Sequence, residues 1–276
     1  MAKKKGPPAK EFHHYLTEVS DAHVGQDDYM ESPASAFLKY TVEAKSAVDL
    51  CIRKFPKKGN NDYTKDSHDS LQYLVVSVLP AIMGHFETYQ RHLFAGIFDR
   101  TIYLKDFDSQ QMVKRLESDH SISVSLAGLA SFRGGNLSSI GIVAADNLFG
   151  WHDPEKVNEF FESFGLKRQV FSNSAIRKLR VLWQLRHSIV HTGGTLTLPD
   201  SQKVRELEEF GGKQIAFEHQ FIYEVARKLH PIVDSATKNM KTAFVSRLKE
   251  DLPQTTIDEI NKFFTVESSY RSWLSS

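Results

Sequence analysis

The sequence predicts an all-α protein with one small β-hairpin, and three observations carry that prediction. Apolar residues recur at helical spacing over several long stretches. N-capping residues and prolines stand where those stretches begin, and glycines where the best of them ends. Alternating polarity is confined to two short runs, Thr195–Leu198 and Gln214–Phe217, on either side of a turn-rich segment.

A chain of 276 residues with 41% hydrophobic and 11% aromatic residues can bury a sizeable core. Residues 1–31 read as a disordered or loosely ordered tail, basic at its start (MAKKKGPPAK), with one short helix expected over Glu11–Val19; residues 32–276 read as a single helical domain. The net charge of +1 provides no global field toward nucleic acid or membrane, so any polyanion must be met by a local patch. Cys51 is the only cysteine, which excludes an internal disulfide framework and a CxxC metal site and fits a reducing compartment. A cytoplasmic location is the expectation. The tail has no apolar h-region, so no secretory signal is expected and the sequon at Asn136 carries no weight. The longest apolar run, Leu74–Gly84, is too short to span a bilayer, and no membrane association is expected.

Taken in order, Ser32-Pro33 is an N-cap and N1 pair for a helix ending near Phe55. From Ser70 to Ile97 helical spacing is sustained, and Pro80 is expected to kink the result. Shorter helices are expected over Asp108–Glu117, Ser121–Phe132, Asn136–Phe149 and Pro154–Phe164, with a turn at Arg133–Asn136. Ser172–Ser174 offers caps for the helix that Gly193-Gly194 stops. The hairpin follows, flanking a turn-rich Pro199–Gly212; then comes a long amphipathic helix from Gln220 to about Leu252, with a break expected at Pro231, and a last helix near Thr256–Phe264.

The chemistry concentrates in Arg177–Gly194 (RKLRVLWQLRHSIVHTGG). On a wheel of about 100° per residue, Leu179, Leu182, Trp183, Ile189 and Val190 form one face. Arg180, Gln184, His187 and His191 form another. Arg186 falls among the apolar set, where a guanidinium is costly unless an acid or an anion meets it. Two readings stand open: a structural ion pair with Glu87 or Asp146, the histidines merely capping the helix, or an anion site. The interval from arginine to histidine is weak by itself, because Arg115 and His120 repeat it. His187 and His191 share a face at i,i+4, but no H-E-x-x-H glutamate or third ligand accompanies them, so no metal is expected. No phosphate-binding glycine loop and no nucleophile elbow around Ser188 is present.

The string Arg186-His187-Ser188-Ile189-Val190-His191, followed by two glycines, resembles the signature of the HEPN superfamily: arginine, then Asn, Asp or His, then three residues and His. The segment HFETYQRHLFAGIF (His85–Phe98) is similar to an early helix of that family, and Leu137–Phe149 followed by Gly150 to a segment ending in Phe-Gly. These matches span about Ser70 to Phe221. The resemblance implies a HEPN-type helical bundle and a cofactor-free, metal-independent endoribonuclease working as a homodimer. Arg186 and His191 would be its catalytic residues, with His187 assisting and Arg180 and Lys178 steering RNA. It further implies a toxin or phage-defence role, with an antitoxin or sensor protein as a possible partner. The alternatives are a non-catalytic HEPN module binding RNA, a nucleotide or a protein, and a metal-dependent hydrolase using His187 and His191.

Overall fold

Thr64 opens the longest element: its hydroxyl accepts a hydrogen bond from the Ser67 backbone N–H at 3.2 Å, satisfying a donor that a first helical turn leaves orphaned. From there α3 runs over Lys65–Arg100. In the computed structural model, which describes residues 11–16, 23–120, 122 and 139–275, α3 is the spine. Packed on it are α2 (Pro33–Lys54), α5 (Ile140–Asp146), α7 (Asn173–His191) and α9 (Phe221–Val245). Between them lie α1 (Gln26–Glu31), α4 (Ser109–His120), α6 (Pro154–Glu162), α8 (Leu198–Ser201) and α10 (Gln254–Phe263). The antiparallel pair β1 (Thr195–Leu196) and β2 (Lys213–Gln214) is the only sheet among the described residues. The fold is all-α with a small hairpin after α7, as the sequence predicts. No helix among the described residues is long and apolar enough to cross a membrane.

Packing overrides several local signals. Pro231, where a break is expected, lies inside an unbroken helix, and Pro80 lies within the continuous α3. An interior proline costs about 3 kcal/mol, but Val75, Leu79, Ile82, Met83 and Phe86 around Pro80 are fully buried. Each such side chain contributes roughly 1.5–3 kcal/mol, enough to hold the helix together. Ser32 does not cap α2; its hydroxyl instead donates to the Thr265 carbonyl at 2.8 Å, tying the start of α2 to the C-terminal segment. The chain joins the fold at Gln26, ahead of residue 32, because Tyr29 is buried at 2% exposure and its hydroxyl pairs with His85 Nδ1 at 2.8 Å. Within the expected Glu11–Val19 helix only a 3-10 turn at Phe12–Tyr15 is described. Pro199–Gly212 is more ordered than a turn-rich loop: it carries α8, capped by Thr197, and a 3-10 turn over Arg205–Phe210. The expected helix over Ser121–Phe132 and turn at Arg133–Asn136 lie outside the described residues but for Ile122, and the helix expected over Asn136–Phe149 is seen at Ile140–Asp146.

Two contacts on α3 set the position of the functional region. At Gly141 the backbone of α5 meets that of α3, so that a Cβ there would stand 2.2 Å from the Ala95 carbonyl oxygen. Asp99 locks this contact by accepting from the Gly141 N–H at 2.8 Å and from the Ser139 hydroxyl. One turn back, the ring of Phe94 meets Trp151 and Phe161 edge-on at 5.8 and 5.6 Å, anchoring the start and end of α6.

Candidate functional site

The site forms where α7 ends. Ser172 starts the helix by accepting from the Ala175 N–H at 3.3 Å. Leu179 and Trp183, at 0% and 5% exposure, face the core, and the ring of Trp183 lies 6.4 Å from that of Phe86 on α3. At the other end the Ser188 carbonyl accepts from the Gly194 N–H at 3.0 Å, with Gly193 and Gly194 at φ 61° and 81°. These left-handed conformations favour glycine. Gly194 has a second constraint, because a Cβ would stand 2.8 Å from Gln214 Nε2, which itself donates to the Gly193 carbonyl. The hairpin is thereby docked on the helix terminus.

This end carries the three residues singled out by the sequence. Arg186 is half-buried, its guanidinium 5.8 Å from the centre of the Trp183 ring. Its Nε is buried with no acceptor, and Trp183 Nε1 is in the same condition three residues earlier. The acids offered as its structural partners are engaged elsewhere: Arg91 binds Glu87 at 2.7 Å and Asp146 at 3.2 Å. Among the described residues Arg186 forms no ion pair. His187 is half-buried and His191 exposed, their ring centres 4.8 Å apart. No third His, Cys, Asp or Glu among the described residues joins them in a group able to hold a metal.

Burial lowers the His187 pKa below the usual imidazole value, and His191, Lys203 and His152 lower it further, while Asp200 opposes them. His187 is thereby biased toward its neutral form. Asp200 is held low by its hydrogen bonds with Lys203 (2.7 Å) and Thr197 (2.8 Å), so it acts on His187 as a carboxylate.

His152 is the residue that sequence reasoning missed. It is exposed, with its ring 6.3 Å from Trp183. Gly150, at φ 110°, makes the turn that buries Trp151, whose indole N–H donates to the Ala145 carbonyl at 3.1 Å, and leaves His152 at the site. The Phe-Gly segment was a usable signal, since it ends two residues before this histidine.

Other expectations change. Arg180 is not a free cation, because it grips Glu155 of α6 through two nitrogens, at 2.5 and 3.2 Å. Lys178 is exposed and forms no ion pair among the described residues. Trp183 packs within the fold at 5% exposure, whereas Val190 is 48% exposed. Gln184, on the polar side of the wheel, is buried, with its side chain 3.4 Å from the Ser188 hydroxyl. The early-helix match divides in the same way: Phe86 is core, while His85 stacks on Tyr40 and Glu87 holds Arg91.

Fold and site together define a helical bundle with an arginine-histidine cluster at the glycine-stopped end of one helix. Comparison with protein-family models, curated proteins and solved structures returned no match.

Proposed function

We propose that the chain is a metal-independent endoribonuclease of the HEPN type, cleaving RNA at a site completed by a second copy, and serving as a toxin or phage-defence effector. The observation that carries the reading is the guanidinium of Arg186, buried at Nε, unpaired, and next to His187 and His191 at an open helix end. Arginine does not escape burial by losing its proton, so it demands an anion, and its planar fork of donors suits a phosphate.

In the reaction a histidine takes the proton of an RNA 2′-hydroxyl, whose oxygen attacks the adjacent phosphorus. The 5′-oxygen leaves, protonated by a second histidine, and the products are a 2′,3′-cyclic phosphate and a 5′-hydroxyl. Arg186 would stabilise the charge that builds on the phosphorane oxygens. Base and acid would be the His191 copies of two protomers across a two-fold axis, with the neutral-biased His187 positioning the phosphate. Lys178, an exposed cation on α7 without an ion pair among the described residues, would meet the RNA backbone, since Arg180 is occupied by Glu155.

The test is RNA cleavage by the purified protein in EDTA. Cleavage should persist in chelator, cease in Arg186→Ala and His191→Ala proteins that still fold, and cease when the cut site carries a 2′-deoxy sugar. Cleavage of the 2′-deoxy substrate would overturn the mechanism. Loss of activity in EDTA would favour the metal-dependent reading, and folded protein that cuts no RNA would favour a binding module.

A further inference from the structure

A second cationic site lies away from the motif. Between α4, the loop after α6 and the end of α9 is a cavity of about 540 Å³. Arg115, Lys167, Arg168 and Arg247 line it, together with Asp106, Asp108 and Glu162. None of these carboxylates forms an ion pair with those cations. Asp108 is committed to α4, where it accepts from the Gln111 N–H at 2.9 Å.

Two guanidiniums converge here. A Cβ placed on Gly165 would lie 3.7 Å from a terminal nitrogen of Arg115 and 3.8 Å from one of Arg247. Arg247 is fixed by one donor to the Gly165 carbonyl at 3.1 Å, which leaves its other donors for a ligand. Arg115 has no hydrogen-bond acceptor among the described residues. Like charges are brought together at a preformed concavity whose floor is apolar, with Met112 and Phe164 at 4% and 2% exposure. The walls are unusual in backbone as well: Asp106 and Lys167, at φ 48° and 50°, are two of the three non-glycine residues with positive φ among the described residues. Such conformations cost of order 1–3 kcal/mol each and concentrate at ligand sites.

We propose that this cavity binds a phosphorylated small molecule, with Arg115 and Arg247 gripping the phosphoryl group and Lys167 and Arg168 closing over it. The site is independent of the arginine-histidine cluster. Its lining residue nearest α7 in sequence, Gln169, stands four residues before that helix begins, and the 19 residues of α7 put roughly 27 Å of helix between its start and His191. Arg115 also lines an adjoining cavity of about 370 Å³ with His120, Asp119, Glu159 and Glu162, where His120 meets Phe160 edge-on at 4.9 Å.

Calorimetric titration with inorganic phosphate and with AMP, at matched ionic strength, tests the proposal. In an Arg186→Gln background, which removes the anion site proposed at the end of α7, either probe should still bind, and binding should weaken at least about tenfold when Arg115→Gln is added, the loss of a charge-assisted pair. Arg115 holds no structural bond, so its variant should keep the wild-type circular dichroism and Tm; Lys167→Gln provides a second variant with a smaller expected loss. Equal affinity for the two probes would assign recognition to the phosphoryl group alone, and tighter AMP binding would add contacts to the apolar floor; both support the site. No binding of either probe, or binding indifferent to Arg115→Gln, or binding lost in Arg186→Gln, overturns it.

Discussion

Replacing Arg186 by leucine should abolish RNA cleavage while leaving the fold as stable as before. The magnitude follows from what the side chain touches. Its contact with Trp183, at 5.8 Å, is a cation–π pair worth about 0.5–1 kcal/mol at a partly exposed position. Against this, its Nε is a buried donor without an acceptor, a condition that costs about 1–3 kcal/mol. Removing both should leave stability unchanged or raise it by about 1–2 kcal/mol, which for a chain of this size keeps Tm within about 4–8 °C of wild type and not below it. Arg91→Leu is the matched control. That arginine holds Glu87, Asp146 and the Ala145 carbonyl; its loss leaves the two carboxylates unpaired, while the carbonyl keeps the Trp151 indole N–H. With partial screening the cost is about 2 kcal/mol, or a fall in Tm of about 4–8 °C. Thermal melts by circular dichroism and cleavage of a fluorescent oligoribonucleotide read the two effects. The expected pattern for Arg186→Leu is a preserved Tm with at least about a hundredfold loss of rate. A Tm that falls as far as in Arg91→Leu would show Arg186 to be a structural residue and refute the reasoning; undiminished cleavage would refute its catalytic role.

Two further outcomes test other parts of the structure. His152→Gln removes a neighbour that disfavours protonation of His187, so the His187 pKa should rise, and NMR titration of the imidazole would show it; an unmoved titration would place His152 outside the cluster. Gly141→Ala inserts a methyl 2.2 Å from the Ala95 carbonyl oxygen, and because that oxygen is backbone and a Cβ has no rotamer to escape by, the helices must part. A loss of about 2–3 kcal/mol is expected in urea denaturation, and a wild-type midpoint would mean that α5 does not approach α3 this closely.

What the sequence disclosed depended on the range of the interactions. Helix boundaries came from local chemistry: Ser172 and Gly193-Gly194 bound α7 because capping and left-handed turns act within a few residues. Pro231 misled because its penalty is local, whereas the burial of Leu229, Ile232 and Val233 that outweighs it comes from packing against other elements. Tyr29 was lost in a polar segment for the same reason, since its partner His85 is 56 residues away. The choice between Arg91 and Arg186 for Glu87 was partly open to reading: Glu87 and Arg91 stand at i,i+4, the spacing at which a glutamate and an arginine meet on one helix. His152 lay beyond that logic, because its place at the site depends on a glycine turn and a buried indole rather than on any period.

The same contrast bears on why Arg186 stands where it does. Arg91 and Arg186 both sit beside a tryptophan, at 5.5 and 5.8 Å, and both reach partly buried surroundings. The fold supplies Arg91 with two carboxylates and a carbonyl and supplies Arg186 with none. Native interiors seldom leave a buried donor unmet, and here two such donors, on Trp183 and Arg186, lie within one turn of a single helix. Stability alone would favour an apolar side chain at 186, since leucine would keep the packing and remove the unmet donor. On the proposed reading, a position that costs the protomer free energy and is followed by two histidines, one of them biased toward neutrality, would be accounted for by a ligand that the protomer does not contain. The proposed RNA substrate would match all three groups at once: its phosphodiester would supply the acceptors that Arg186 lacks, and its 2′-hydroxyl and 5′-leaving oxygen would be the groups on which the histidines act.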